Sequence, residues 1–287
     1  MKRDAFTLVE LLVVVAIIAL LLGITLPALN GARQLARQTT AMSAMKQMLL
    51  GYQLYQADHR GSVMWGYPAA YVNGTQVSVT LPSGHTLPGA KNALPVMRYP
   101  VRLAPYEGGV WKLLYEHADP PEAPTPADTD QQAYDKAYAL SLNPSFGLNT
   151  VYVGGDFQYG GFVGSSFRPN RGGHPVFRNA DVRRPSNLIV FAEVQQRGGG
   201  TPSTSDDGFH RLTPPLANGR HWSAQDGQLV QADPTRIIGL PMGRYRGQTV
   251  TGFFDSHIES LDPADIDDMT YWANNADSPD QDYTTST

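Results

Sequence analysis

Apolar and polar positions divide this 287-residue chain into stretches of different period. From Phe6 to Leu29 run twenty-four residues that carry one charge, Glu10. As a continuous helix they extend about 36 Å, enough to cross a hydrocarbon core of roughly 30 Å. From 32 to 57 the spacing turns amphipathic. Leu35, Met42, Met45, Leu49 and Tyr52 recur at steps of seven, three, four and three, which predicts one helix with a single apolar stripe. Methionine in such a stripe is core packing rather than a cofactor box. Pro27 is the expected kink between the two halves, Asn30-Gly31 weakens the helix after it, and Asp58-His59-Arg60-Gly61 ends it.

Beyond Gly61 the helical period gives way to short alternating pieces. In AAYVNGTQVSVTL, Asn73-Gly74 predicts a type I′ turn joining Tyr71-Val72 to Val77-Ser78-Val79. The stretches at 120–130 and 197–208, rich in Pro, Asp and Gly, are expected loops. Between them, LNPSFGLNTVYVGGDF predicts a loop and a strand, and Leu188-Ile189-Val190-Phe191 a fully buried strand. TVTGFFDSHIESL, at 249–261, predicts two strands with Val250, Phe253 and Ile258 in the core, and the tail from Asn274 is expected to be disordered. There is no internal repeat. The fold class that follows is α+β: a long N-terminal helix packed on a mainly antiparallel β-sheet head with long loops.

Composition narrows the partners. Formal net charge is −4, and six of the 22 basic residues fall in the first sixty positions, leaving 16 basic against 23 acidic residues afterwards. A nucleic-acid-binding surface is therefore not expected. With no Cys, disulfides, thiolate metal sites and a lipidated cysteine anchor are excluded.

Three ordinary readings compete for the first thirty residues. A cleaved secretory signal needs a shorter apolar region and a small-residue site, which Leu29-Asn30-Gly31-Ala32 does not supply. A core helix would be shorter. A plain signal anchor leaves Glu10 unexplained, because an acid in the bilayer costs on the order of 3 kcal/mol. The run Ala-Phe-Thr-Leu-Val-Glu behind Met1-Lys2-Arg3-Asp4 resembles instead the type IV prepilin signature shared by pilins and the pseudopilins of type II secretion, over about twenty-five consecutive positions. The resemblance implies cleavage by prepilin peptidase between Ala5 and Phe6, N-methylation of Phe6, and an assembly role for Glu10, fifth after the cut, and for Pro27. Ala5 departs from the glycine usual before the cut, by one methyl. Cleavage frees a cationic amine on Phe6, and Glu10 of one subunit would pair with Phe6 of the next. At about 4 Å and an effective dielectric near 20 the attraction is roughly 4 kcal/mol, comparable to the burial penalty, so the pair sets register more than it adds stability. An acid near a helix N-terminus is also favoured by the macrodipole alone. Lys2 and Arg3 before the span are balanced by Arg33 and Arg37 after it, so the charge rule scarcely orients the chain, and the resemblance places the leader in the cytoplasm.

The head resembles a large pilin-like bacterial group in RYPVRLAP, in SLNPSFGLN and in the closing strand. There Ser256 stands where the group's Asp-Gly-His turn has Gly. Seven scattered histidines show no HExxH or i,i+4 spacing, and no glycine-rich stretch has phosphate-loop spacing. Asp255, Ser256 and His257, as neighbours in a strand, would point to opposite faces and form no triad. Asp262, Asp265 and Asp267 are candidate calcium ligands, as the major pseudopilins hold calcium near the C-terminus. Against that, Asp262 suits the N-cap and Pro263 the first position of a short helix running to Trp272.

The expected organisation is a leader at 1–5, a transmembrane and assembly helix at 6–60 and a periplasmic or extracellular head at 61–287. The expected function is that of a non-enzymatic, single-pass inner-membrane pilin-like subunit assembled into a type II secretion pseudopilus or type IV pilus, its large head fitting either a minor or tip subunit or a member of an expanded family. Its partners would be prepilin peptidase, other pilin-like subunits, copies of itself and the inner-membrane assembly platform. The rivals are a signal-anchored periplasmic binding module that does not polymerise, suited to glycans through Trp65, Trp222 and Trp272, which are expected to be exposed, and a tethered hydrolase.

Overall fold

The computed structural model describes residues 8–87, 94–108, 111–116, 119–157, 162–163, 166–167, 175–199 and 208–282. The chain forms two compact units, Met1–Thr40 and Ala41–Thr287. One helix, α1 (Leu8–Asp58), runs through the boundary and continues unbroken through Pro27 and Asn30-Gly31. In the first unit Thr25 and Thr39 fold their hydroxyls back onto the helix, each donating to the carbonyl four residues earlier, Leu21 O and Leu35 O, at 2.9 Å. The helix ends as its sequence predicts. Arg60 and Gly61 take φ of 55° and 78°, and the Gly61 N–H donates to Gln56 O at 2.8 Å, closing the last turn.

In the second unit, strands β1 (Tyr71–Val72) and β2 (Thr75–Gln76) form the hairpin around Asn73 and Gly74, whose φ of 50° and 79° are those of a type I′ turn. The returning strand is Thr75–Gln76 and not 77–79: a two-residue loop pairs the residues immediately beside it. The pair β3 (Val79–Thr80) and β4 (Thr86–Leu87) follows, then short helices α2 (Leu94–Met97) and α3 (Tyr99–Leu103). Helix α4 (Asp130–Leu142) leaves the Pro-rich stretch behind a capping box, with Thr129 Oγ1 accepting from Gln132 N and Gln132 Oε1 accepting from Thr129 N. Next come β5 (Phe146–Leu148), the pair β6 (Phe162–Val163) and β7 (Ser166–Phe167), and β8 (Ile189–Arg197). The chain closes with β9 (Trp222–Gln225), β10 (Gln228–Gln231), β11 (Ile238–Pro241), β12 (Thr249–Phe253), β13 (Ile258–Leu261) and α5 (Pro263–Ile266).

The organising element is β8, which pairs antiparallel with β5, β11 and β12 in one five-stranded open sheet, β13 extending it beyond β12. Its residues Ile189 to Gln195 are all buried, as a central strand covered on both faces requires. On one face Val190 and Phe191 join Met45, Met48, Leu49 and Tyr52 of α1. On the other, Ile189, Ala192 and Val194 join Trp222, Phe253 and Trp272. A register shift between Gly252 and Phe253 lets strict alternation lapse there. Helix α1 lies so close to β12 that a Cβ on Gly252 would sit 2.8 Å from Leu49 Cδ1 and 2.9 Å from Met45 Sδ.

The β12–β13 turn carries a testable irregularity. Ser256 has φ of 68°, a conformation glycine adopts without penalty, and its buried Oγ has no hydrogen-bond partner. Its carbonyl accepts from Lys46 Nζ at 2.8 Å, a bond that any residue at 256 supplies. Ser256→Gly is therefore expected to raise stability by about 1 kcal/mol in chemical denaturation, with the Lys46 contact kept.

Beneath α1, Glu107 lies so close to Gly51 that a Cβ there would sit 2.9 Å from its Cγ, and its Oε1 is buried without a partner. Burial pushes its carboxyl up to about 8. Stability from the protonated form is present in full below the unfolded value near 4.3 and is lost as pH rises through that interval to about 8. The thermal midpoint should fall from about pH 5 to pH 8, and Glu107→Gln, neutral throughout, should flatten that dependence.

Candidate anchoring and assembly segment

The functional segment is built from the first half of α1. The side chains of Leu8, Val9 and the Leu, Val and Ile residues through Leu29 are 45–82 % exposed. Burying apolar surface is the main driving force of folding, so a ring of exposed leucine, isoleucine and valine on every side of a helix requires an apolar surrounding: lipid, neighbouring helices, or both. The helix is long and apolar enough to cross a membrane, and its most apolar window has none of its residues buried within the chain.

Glu10 sits in the first described turn, near the positive end of the helix, with its residue exposed. It is the only acid between Leu8 and Ala57. Pro27 lies within the helix. Ala5 and Phe6 lie outside the described residues.

Asp262 stands at the N-cap of α5 and Pro263 at its first position, but the Asp262 side chain makes no cap; its Oδ1 accepts from Gln248 Nε2 at 3.3 Å. The helix stops at Ile266, and a separate 3₁₀ turn (Met269–Tyr271) begins behind Asp268, whose side chain accepts from Thr270 N. Asp267 accepts from Ala224 N at 2.8 Å and from Arg220 at 3.2 Å, while Asp265 is exposed. Among the described residues no group of three or more His, Asp or Glu side chains gathers as a metal site.

The tail corrects the expectation of disorder as far as Asp282. Asp277 pairs with Arg184 at 2.7 Å and Asp280 with Arg220 at 2.8 Å, while Asp282 accepts from Asn218 N and Gly219 N at 3.0 and 2.8 Å. Ala276 is fully buried. The acids that suggested a solvated tail are the anchors that hold it on the head.

Two tryptophans offered as an exposed glycan platform are also corrected. Trp222 and Trp272 are fully buried and meet edge to face at 5.8 Å, with Nε1 donating to Thr213 O and Ile266 O respectively. Trp65 alone of the three is partly exposed. The Asp255–His257 pair does meet, at 2.6 Å, because these residues lie in a turn and not in an alternating strand. Ser256 Oγ has no partner there, so no nucleophile is activated. His117 and His174, and most of the 197–208 loop, lie outside the described residues.

Among known families, the model described as the Prokaryotic N-terminal methylation motif matches residues 1–26. No curated protein and no solved structure matches the chain.

Proposed function

We propose, from the match of residues 1–26 to the prokaryotic N-terminal methylation motif, that this chain is a type IV pilin-like substrate of prepilin peptidase and a structural subunit of a type II secretion pseudopilus or a type IV pilus. The observation that carries this reading is the coincidence of the methylation motif at 1–26 with a 51-residue helix whose apolar first half is exposed in the lone subunit. A helix of that kind has two uses for one surface. Before assembly lipid covers it; afterwards, neighbouring copies do.

In this reading the peptidase cuts between Ala5 and Phe6 and methylates Phe6, the chain waits in the inner membrane with its N-terminus cytoplasmic and its head periplasmic, and the assembly platform extracts it into the filament. Glu10 of one subunit pairs with the Phe6 amine of its neighbour, Pro27 lies in the packed helical layer, and other pilin-like subunits share the polymer. The head adds no chemistry to this process.

The test is overproduction in cells that carry the processing and assembly machinery, followed by shearing and electron microscopy of the released material. Filaments labelled by an antibody to the head support the reading. A chain found only as dispersed membrane protein, with the machinery demonstrably active on another substrate, contradicts it.

A further inference from the structure

Within the 41–287 unit lies a cleft of about 540 Å³, in the size range of small-molecule sites. One wall is the end of α1, where Tyr55 and His59 stack with ring centroids 4.0 Å apart and 11° between planes. Tyr106 meets Tyr55 edge-on at 5.4 Å and donates its hydroxyl to Asp58 Oδ2 at 2.8 Å. The chain from Thr75 to Thr80, with its valines and hydroxyl-bearing residues, also lines the cleft. Flat rings, aliphatic surface and neutral hydrogen-bonding groups thus share one space.

The lining residues include one arginine, Arg102, and no carboxylate. Arg102 is 6 % exposed. Its two terminal nitrogens donate to the carbonyls of Trp65, Gly66 and Met97, all uncharged, and its Nε–H is buried with no partner. Burial lowers it to about 10, so it keeps its charge at neutral pH. The Asp58 carboxylate, 68 % exposed, accepts from Tyr106 and lies 3.9 Å from His59 Nδ1, beside the rings and not at Arg102. A buried cation served only by neutral acceptors gains most from a ligand that brings the missing negative charge.

We infer that this cleft binds a small ring-bearing carboxylate, its ring against the Tyr106 and His59 rings and its acid group toward the Arg102 wall. A uronic acid sugar and an aromatic acid share that chemistry. This inference is independent of filament assembly, and its failure leaves the assembly reading untouched.

The test is calorimetric titration of the full-length chain in detergent micelles with digalacturonate and phenylacetate, each beside its neutral counterpart, galactobiose and 2-phenylethanol. One acid should saturate, at least about tenfold tighter than its neutral counterpart, and Tyr106→Ala should weaken it about tenfold. Arg102 stays in place, because its donors hold the Trp65 and Gly66 carbonyls; His59→Ala is the second variant, with thermal unfolding followed for both. Saturation by digalacturonate identifies a sugar ligand and saturation by phenylacetate an aromatic one. The inference is overturned if neither acid saturates by about 10 mM, if the neutral compounds bind equally, or if both folded variants bind like the parent chain.

Discussion

Glu10→Ala is expected to abolish incorporation into filaments while leaving membrane insertion intact or improved. Glu10 is the one charge in the apolar half of α1, and in a lipid-stored monomer it is a liability of up to about 3 kcal/mol, so its removal cannot harm anchoring. In the proposed polymer the carboxylate would face a freed amine. The attraction roughly offsets the cost of burying the two charges, but removing Glu10 would leave the neighbour's amine buried without a partner, a cost of about 3–5 kcal/mol repeated at every step of growth. Glu10→Gln keeps the shape and loses the charge, so it should behave like Glu10→Ala if pairing is the cause. Shear-released filaments and carbonate-resistant membrane protein are the two readouts. Normal filaments from both variants would remove the pairing from the account.

The second large effect is in the head. Phe191 is fully buried in β8 and touches the two elements packed over that face: Tyr52 of α1, edge-on at 5.7 Å, and Tyr99 of α3, at 5.1 Å. Phe191→Ala removes a ring from a close-packed site and leaves a cavity walled by aromatic groups that have little room to collapse. The expected cost is about 3–5 kcal/mol, or a drop of about 10 °C in the melting temperature of the full chain in detergent. Val230→Ala is the control: at 39 % exposure on β10, it should stay within about 0.5 kcal/mol. A fall of under about 1 kcal/mol at Phe191 would mean that α1 and the sheet do not share one core.

What the sequence made legible is what depends on local periodicity. The stripe of Met45, Leu49 and Tyr52 is buried, Met42 is partly buried, and Leu35, in the 1–40 unit, is exposed. Leu188 to Phe191 is a buried run because a central strand has no solvent face to mark with polar residues. Asn73-Gly74 made its turn for the backbone reason that selects it. Helix α4 escaped notice because its core face is Ala133, Ala137 and Leu140, two of them alanines that raise no hydrophobic signal, although Thr129 and Gln132 already spelled its capping box. The burial of Trp222 and Trp272 and the anchoring of the tail depend on partners far along the chain: Arg220 lies 60 residues from Asp280, and Arg184 lies 93 from Asp277. Period and spacing carry no record of such pairs. The same is true of the cleft, where Arg102 meets carbonyls 36 and 37 residues away.

The central claim is that this helix is a processed, reusable surface and not a fixed anchor. Intact mass and N-terminal sequence of the chain extracted from membranes of cells with an active prepilin peptidase test it most directly. The account predicts loss of Met1 through Ala5 and a new N-terminus at Phe6 carrying one methyl group. A chain that keeps Met1, or one that begins at Arg33 after signal-type cleavage, would contradict it.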